Sequence, residues 1–182
     1  MTQVALFVVV PPLFIKLGNM QSSELWKVYL PVIFGSFLLM VPAIFWAETR
    51  KAHVKLLRAA VAGLVIVCAL LPVSSGDFYS LAFALTGFFV MFNVLEALQP
   101  SLVSRMAPPE LKGLALGFYN TSQAAGLFLG GALGGGLLSR GGSDAVFWAV
   151  CALSAVWLLV TWGLKPLNQP IVVAPLDMNA DN

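Results

Sequence analysis

Charge is scarce in this sequence. Its 182 residues include 10 Lys and Arg and 8 Asp and Glu, so charged residues make up 10% of the chain. A soluble domain carries about 25%. With 59% hydrophobic residues, the chain lacks the polar coat needed to face water, and its outer surface is expected to meet lipid. Cysteine and histidine are equally sparse. Cys68 and Cys151 each sit in an apolar run and read as small packing residues, and His53 is the single histidine. With no His or Cys cluster, no Ser–His or Cys–His pair and no phosphate loop, no metal, cofactor or enzyme chemistry is expected. A net charge of +2 gives no reason to expect a nucleic-acid partner. No collagen-like period, polar tract or Pro-rich run is present. Met1-Thr2-Gln3 leads into an apolar stretch without a basic n-region or a small-residue cleavage site. That stretch therefore reads as a membrane span, not a removed signal peptide.

Long apolar runs are what the sequence has in abundance. A helix needs roughly 20 apolar residues to cross a ~30 Å hydrocarbon core. Six segments qualify: 3–18, 26–47, 54–73, 78–104, 111–138 and 144–164. Gly, Ser, Asn, Asp and Pro punctuate the gaps between them, as in Ser74-Ser75-Gly76-Asp77 and Ala107-Pro108-Pro109-Glu110. The segments are long and show no period-2 alternation, so helices are expected and not barrel strands. The predicted fold class is thus an all-α integral membrane protein of six transmembrane helices. Residues 1–165 form the membrane unit, and 166–182 form a tail expected to be disordered and cytoplasmic.

The basic residues divide unevenly between the two sides. Arg50, Lys51, Lys55, Arg58, Arg105, Lys112 and Lys165 fall on one side, and Lys16, Lys27 and Arg140 on the other. By the positive-inside rule the even-numbered spans end in the cytoplasm and both termini are cytoplasmic. Asn120-Thr121-Ser122 matches a glycosylation sequon but lies inside the fifth span, out of reach of the modifying enzyme. His53 falls in the basic loop and reads as a solvated surface residue.

Polar residues enter the membrane unevenly. The third and sixth spans are almost purely apolar, as helices at the lipid-facing periphery would be. The fourth carries Asn93 and Glu96, three residues apart and so expected on one face. The fifth carries Tyr119, Asn120 and Gln123. Polar groups in hydrocarbon cost several kcal/mol when unsatisfied, so these should face protein or a water-filled cavity. Glu96 has three readings: a proton-coupling or substrate-binding carboxylate, a side chain near the cytoplasmic end paired with Arg105, Lys112 or the basic loop, or a hydrogen-bonded helix–helix contact. Tyr119, Asn120 and Gln123 either line a substrate path or bond across to a neighbouring helix.

The fifth span also holds a glycine ladder. Gly126, Gly130 and Gly134 recur every four residues, as do Gly131 and Gly135, which leaves a groove for a neighbouring backbone. With Gly117 added, the spacing resembles the antiporter signature of the major facilitator superfamily, with Gly131 standing where that signature usually has proline. The loop around Glu48, Arg50 and Lys51 resembles the superfamily's acidic-then-basic cytoplasmic loop without its glycines, as second-half loops often do. Trp26-Lys27-Val28-Tyr29-Leu30, Phe92-Asn93-Val94-Leu95-Glu96 and Tyr119-Asn120-Thr121-Ser122-Gln123 are similar to the YajR-like drug-efflux branch.

The resemblance covers residues 1–165 and implies the carboxy-terminal half of a twelve-helix transporter, equivalent to helices 7–12 in a 3+3 repeat. It implies proton-coupled export of small amphipathic compounds across the inner (plasma) membrane. The implied partners are the bilayer, a small-molecule substrate, protons and an amino-terminal six-helix half that is missing here. The alternative is a truncated or non-transporting membrane protein that assembles with other helices.

Overall fold

A computed structural model describes residues 1–163 of the chain. They form α1 (Thr2–Gly18), α2 (Trp26–Thr49), α3 (His53–Ser74), α4 (Phe78–Met106) and α5 (Lys112–Trp162), with 3-10 turns at Ser22–Glu24 and Pro109–Leu111. No strand occurs among the described residues. The expected tail 166–182 and Lys165 lie outside them.

Each helix begins and ends for a local reason. α1 stops where Asn19 enters the left-handed region at φ 46°, a conformation Asn tolerates through its short polar side chain. Lys51, at φ 50°, turns the chain between α2 and α3, and the Ala52 N–H donates to the Ala47 carbonyl at 2.8 Å. Asp77 caps α4 by accepting from the Ser80 N–H at 2.8 Å.

α5 is 51 residues long, which as one straight helix would extend about 76 Å at ~1.5 Å per residue. It does not do so, because Gly142 sits at φ 68°, ψ −167°, a region open essentially to glycine alone. The two arms on either side of Gly142 run in opposite directions. The first arm is antiparallel to α4, since Tyr119 meets Gln99 and Gln123 meets Glu96. α4 is antiparallel to α3, since Gly87 lies against Val67 and Gly63 against Met91. The second arm is antiparallel to α3, since Arg58 meets Thr161 and Cys68 approaches Ser154. The first arm is therefore parallel to α3 and the second opposes it. The gap expected between helices at 111–138 and 144–164 is thus narrower than the sequence suggests, a break at one glycine.

Among the described residues, four helical stretches are long and apolar enough to cross a membrane: Ser22–Thr49, His53–Ser74, Phe78–Met106 and Pro109–Trp162. Thr2–Gly18 is a shorter apolar helix. The core sits where α3 and α4 meet their neighbours, with Leu64, Cys68, Leu71, Leu81, Phe88 and Phe147 fully enclosed. α3 therefore does not behave as a purely peripheral helix. One stripe of it is buried, while Ile66, Leu70 and Val73 on its other face are exposed. An all-apolar sequence leaves these two faces indistinguishable.

Both cysteines lie on the seam between α3 and the second arm of α5. Cys68 Sγ is 3.9 Å from Ser154 Oγ, and Cys151 Sγ is 4.0 Å from the Val65 carbonyl. Arg58 stands on α3 and donates at 3.2 Å to the carbonyls of both Thr161 and Trp162. It thereby satisfies backbone acceptors that the end of α5 leaves free.

Candidate functional site

The polar residues of α4 recur in three-residue steps, Asn93, Glu96 and Gln99. Each step advances about 300° around a helix of ~3.6 residues per turn, so successive side chains fall about 60° apart. The row consequently drifts from one neighbour to another. Asn93 Nδ2 donates to Ser36 Oγ on α2 at 3.0 Å, and Ser36 Oγ donates to the Ile33 carbonyl at 2.7 Å. Glu96 Oε1 accepts from Gln123 Nε2 on α5 at 2.6 Å. Gln99 Oε1 accepts from Tyr119 Oη, also on α5, at 3.0 Å. Asn93 and Glu96 were expected to act on one face. The structure separates them: Asn93 ties α4 to α2, and Glu96 turns to α5.

Beside the two α4–α5 pairs opens a cavity of ≈ 800 Å³. Phe92, Glu96, Gln99, Tyr119 and Gln123 form one wall, Leu153 and Trp157 of the second arm another, and Met1 to Gln3 border it as well. Asn120 is exposed and does not line it. Glu96 has no cationic side chain within ion-pair distance among the described residues. That overturns the reading in which it pairs with Arg105 or Lys112. It stands about 15 Å along α4 from Met106, at ~1.5 Å per residue, too far to share Arg105 with the helix end.

Arg105 serves a second cluster instead. Its Nη2 donates to Glu48 Oε1 and Oε2 at 3.1 and 3.2 Å, and its Nε donates to Ser101 Oγ at 3.2 Å. Glu48 Oε2 also lies 2.7 Å from His53 Nε2. His53 is buried, not the solvated loop residue expected. The left-handed turn at Lys51 folds the start of α3 back beneath the end of α2, which brings the ring under Glu48. Arg50 and Lys51, expected alongside Glu48, are exposed and form no ion pair among the described residues.

The glycine ladder divides into two parts. A Cβ on Gly134 would lie 2.9 Å from the Cα of Ala5, and one on Gly130 would collide with the Met1 backbone. These two positions let α1 approach α5 closely. Gly126 and Gly131 meet the side chains of Met1 and Val4 at ordinary contact distance, 3.5 Å. Gly117 and Gly135 face open space.

The profile of the major facilitator superfamily matches residues 1–178. The chain belongs to the major facilitator superfamily. It is 38% identical over 144 residues to the inner membrane transport protein YajR of Escherichia coli (strain K12), covering 79% of this chain and 32% of that protein. It is 25% identical over 135 residues to an uncharacterized transporter of Buchnera aphidicola, covering 74% of this chain and 34% of that protein. A putative uncharacterized transporter of Escherichia coli, YgaY, is 27% identical over 136 residues, 74% of this chain and 33% of its own. The chain thus spans about a third of the length of the curated relatives it matches. These relatives are named as transporters. Sequence reasoning missed Ser36, Gln99 and Trp157. Gln99 carried a usable signal, since it continues the three-residue polar step from Glu96. Ser36 and Trp157 carried none, because a hydroxyl or an indole is unexceptional in a membrane helix.

Proposed function

We propose that the chain is the carboxy-terminal, six-span half of a proton-coupled exporter of small amphipathic compounds. In this reading the two arms of α5 are separate spans joined at Gly142, and the half rocks against an amino-terminal partner to alternate access. The supporting observation is Glu96, an exposed carboxylate on the wall of an open cavity, with an amide at 2.6 Å and no Lys or Arg side chain within ion-pair distance among the described residues. A carboxylate so placed can take up and release a proton without first breaking an ion pair. Its likeness to an inner membrane transport protein supports the same compartment for this chain.

The test joins this half to an amino-terminal half and measures efflux in vesicles with an imposed pH gradient. Glu96→Gln preserves size and most hydrogen bonding but cannot titrate. Gradient-driven export is expected to fall sharply while exchange without a gradient survives. Undiminished gradient-driven export by the Gln variant would take Glu96 out of proton coupling. A joined protein with no transport at all would favour the non-transporting alternative.

A further inference from the structure

Basic side chains crowd the connection between α2 and α3. Arg50, Lys51, Lys55 and Arg58 follow one another within little more than two helical turns of sequence. The left-handed turn at Lys51 sets the end of α2 beside the start of α3 and gathers these charges into one arc. Arg50, Lys51 and Lys55 are exposed and form no ion pair among the described residues. Arg58 sits one turn further in, placed by the Thr161 and Trp162 carbonyls at 3.2 Å. Glu48, the carboxylate beside the arc, is already shared between Arg105 and His53. Glu110 belongs to the Pro109–Leu111 turn between α4 and α5 and forms no ion pair with the arc. Arg50, Lys51 and Lys55 are therefore left without a countercharge among the described residues.

Two exposed indoles fix the depth of this arc in a bilayer. Trp46, near the end of α2, is 46% exposed and Trp162, at the end of α5, is 72% exposed. Exposed Trp at helix ends marks the membrane–water boundary. Arg50 lies one turn beyond Trp46, about 6 Å along α2 at ~1.5 Å per residue. Arg58 meets the Trp162 carbonyl, so Lys55, a turn earlier on α3, stands about 4.5 Å beyond that level. The head-group layer outside the ~30 Å hydrocarbon core is about 5–8 Å thick on each side. The arc thus lies at the depth of lipid phosphates. Below Lys55, Ala59, Ile66, Leu70 and Val73 continue as one exposed stripe of α3. Ala59, with a single methyl group, leaves a shallow step directly beneath the Lys55 ammonium.

We propose that Arg50, Lys51 and Lys55 bind the head group of an anionic phospholipid, whose acyl chains lie along Ala59, Ile66 and Leu70. A zwitterionic head group would bring its ammonium toward the same three cations, so net negative charge is what the arc selects. Basic recesses at the helix ends of membrane proteins hold anionic head groups in this way. This surface is separate from the cavity at Glu96, and a lipid can reach it in either orientation of the chain. The opposite end offers less: Lys27 is paired with Glu24 at 2.7 Å, and Lys16 and Arg140 stand on different helices.

The chain in detergent is mixed with phosphatidylglycerol or phosphatidylcholine of matched acyl chains, and the lipid retained is counted by native mass spectrometry. Phosphatidylglycerol should bind roughly tenfold tighter or more, since each basic side chain near an anionic surface is worth about fivefold. Arg50→Gln and Lys55→Gln should each weaken phosphatidylglycerol about fivefold and leave phosphatidylcholine unchanged. The triple variant Arg50→Gln/Lys51→Gln/Lys55→Gln should bind the two lipids equally. A triple at the opposite end, Lys16→Gln/Lys27→Gln/Arg140→Gln, removes the same charge and should keep the preference. All six side chains are exposed, so the bundle is expected to fold in every variant. Equal binding of the two lipids by the parent overturns the proposal. So does a preference that survives the first triple, or one lost equally in the second, which would mean that net charge alone acts. Displacement of phosphatidylglycerol by an equal concentration of inorganic phosphate also overturns it, because the arc would then be a soluble-anion site.

Discussion

At the scale of single residues, hydrogen-bond satisfaction explains most of the polar chemistry, and one group breaks the pattern. The hydroxyl of Tyr29 is buried and has no hydrogen-bond partner among the described residues. Its ring stacks on Phe7 at 5.9 Å and meets Phe14 edge-on at 6.2 Å, so the ring is well held while the hydroxyl gains nothing. Leaving such a group unsatisfied costs about 1–3 kcal/mol. Tyr29→Phe keeps the stacking and is expected to raise the thermal unfolding midpoint in detergent. Asn93→Ala should act the other way and only weakly, because interhelical bonds in membranes average ~0.6 kcal/mol and Ser36 keeps its bond to Ile33. A midpoint lowered by Tyr29→Phe would mean the hydroxyl has a partner after all, such as a buried water. The sequence made Glu96 and Gln123 conspicuous as polar groups in apolar runs. It could not say which helix each would meet. That depends on a rotation of about 60° between steps of three residues, which spacing alone does not resolve.

At the scale of helices, glycine decides what packs where, and the same residue type plays different parts. Gly134 is pressed against the backbone of Ala5, whereas Gly117 faces open space. Gly134→Leu should therefore destabilise the chain by roughly 1–3 kcal/mol or more through overpacking, and Gly117→Leu should leave its resistance to heating unchanged. Both are read as the soluble fraction after heating in detergent. If Gly134→Leu survives like the parent, α1 does not close on α5 through this face. Gly142 has a third role. Its φ of 68° is costly for any residue with a Cβ, so Gly142→Ala should cost about 1–3 kcal/mol in the same assay. The ladder's four-residue spacing was legible in the sequence as a groove. That α1 fills only one stretch of it was not, because a glycine read in sequence carries no sign of its neighbour. The helices themselves were the most legible features, since long apolar runs leave few alternatives once every backbone group must bond within the segment.

At the scale of the whole molecule, the fold collects scattered charges at one end. Glu48 joins Arg105 and His53, which brings together the end of α2, the start of α3 and the end of α4. Arg58 reaches the end of α5 from α3. Arg50, Lys51 and Lys55 therefore share this end with Arg105 and Lys112, whereas Lys16, Lys27 and Arg140 belong to the opposite end. If the positive-inside rule governs insertion, the charge-rich end faces the cytoplasm. Single cysteines placed at Lys51 and at Gly76, in a chain with Cys68 and Cys151 replaced by Ala, test this directly. Cys68, buried, and Cys151, half-buried, both pack along the α3–α5 seam, so each Ala replacement removes one sulfur atom and is expected to be tolerated. In intact cells, a membrane-impermeant maleimide should label the cysteine at position 76 and spare the one at 51. After lysis it should label both. Labelling at 51 from outside would invert the orientation and put the Glu48–His53–Arg105 cluster on the far side of the membrane. Equal labelling of both sites from outside in intact cells would mean that the short connections do not hold one topology. With Arg50, Lys51, Lys55, Arg58, Arg105 and Lys112 gathered at one end, the expected result is a single orientation.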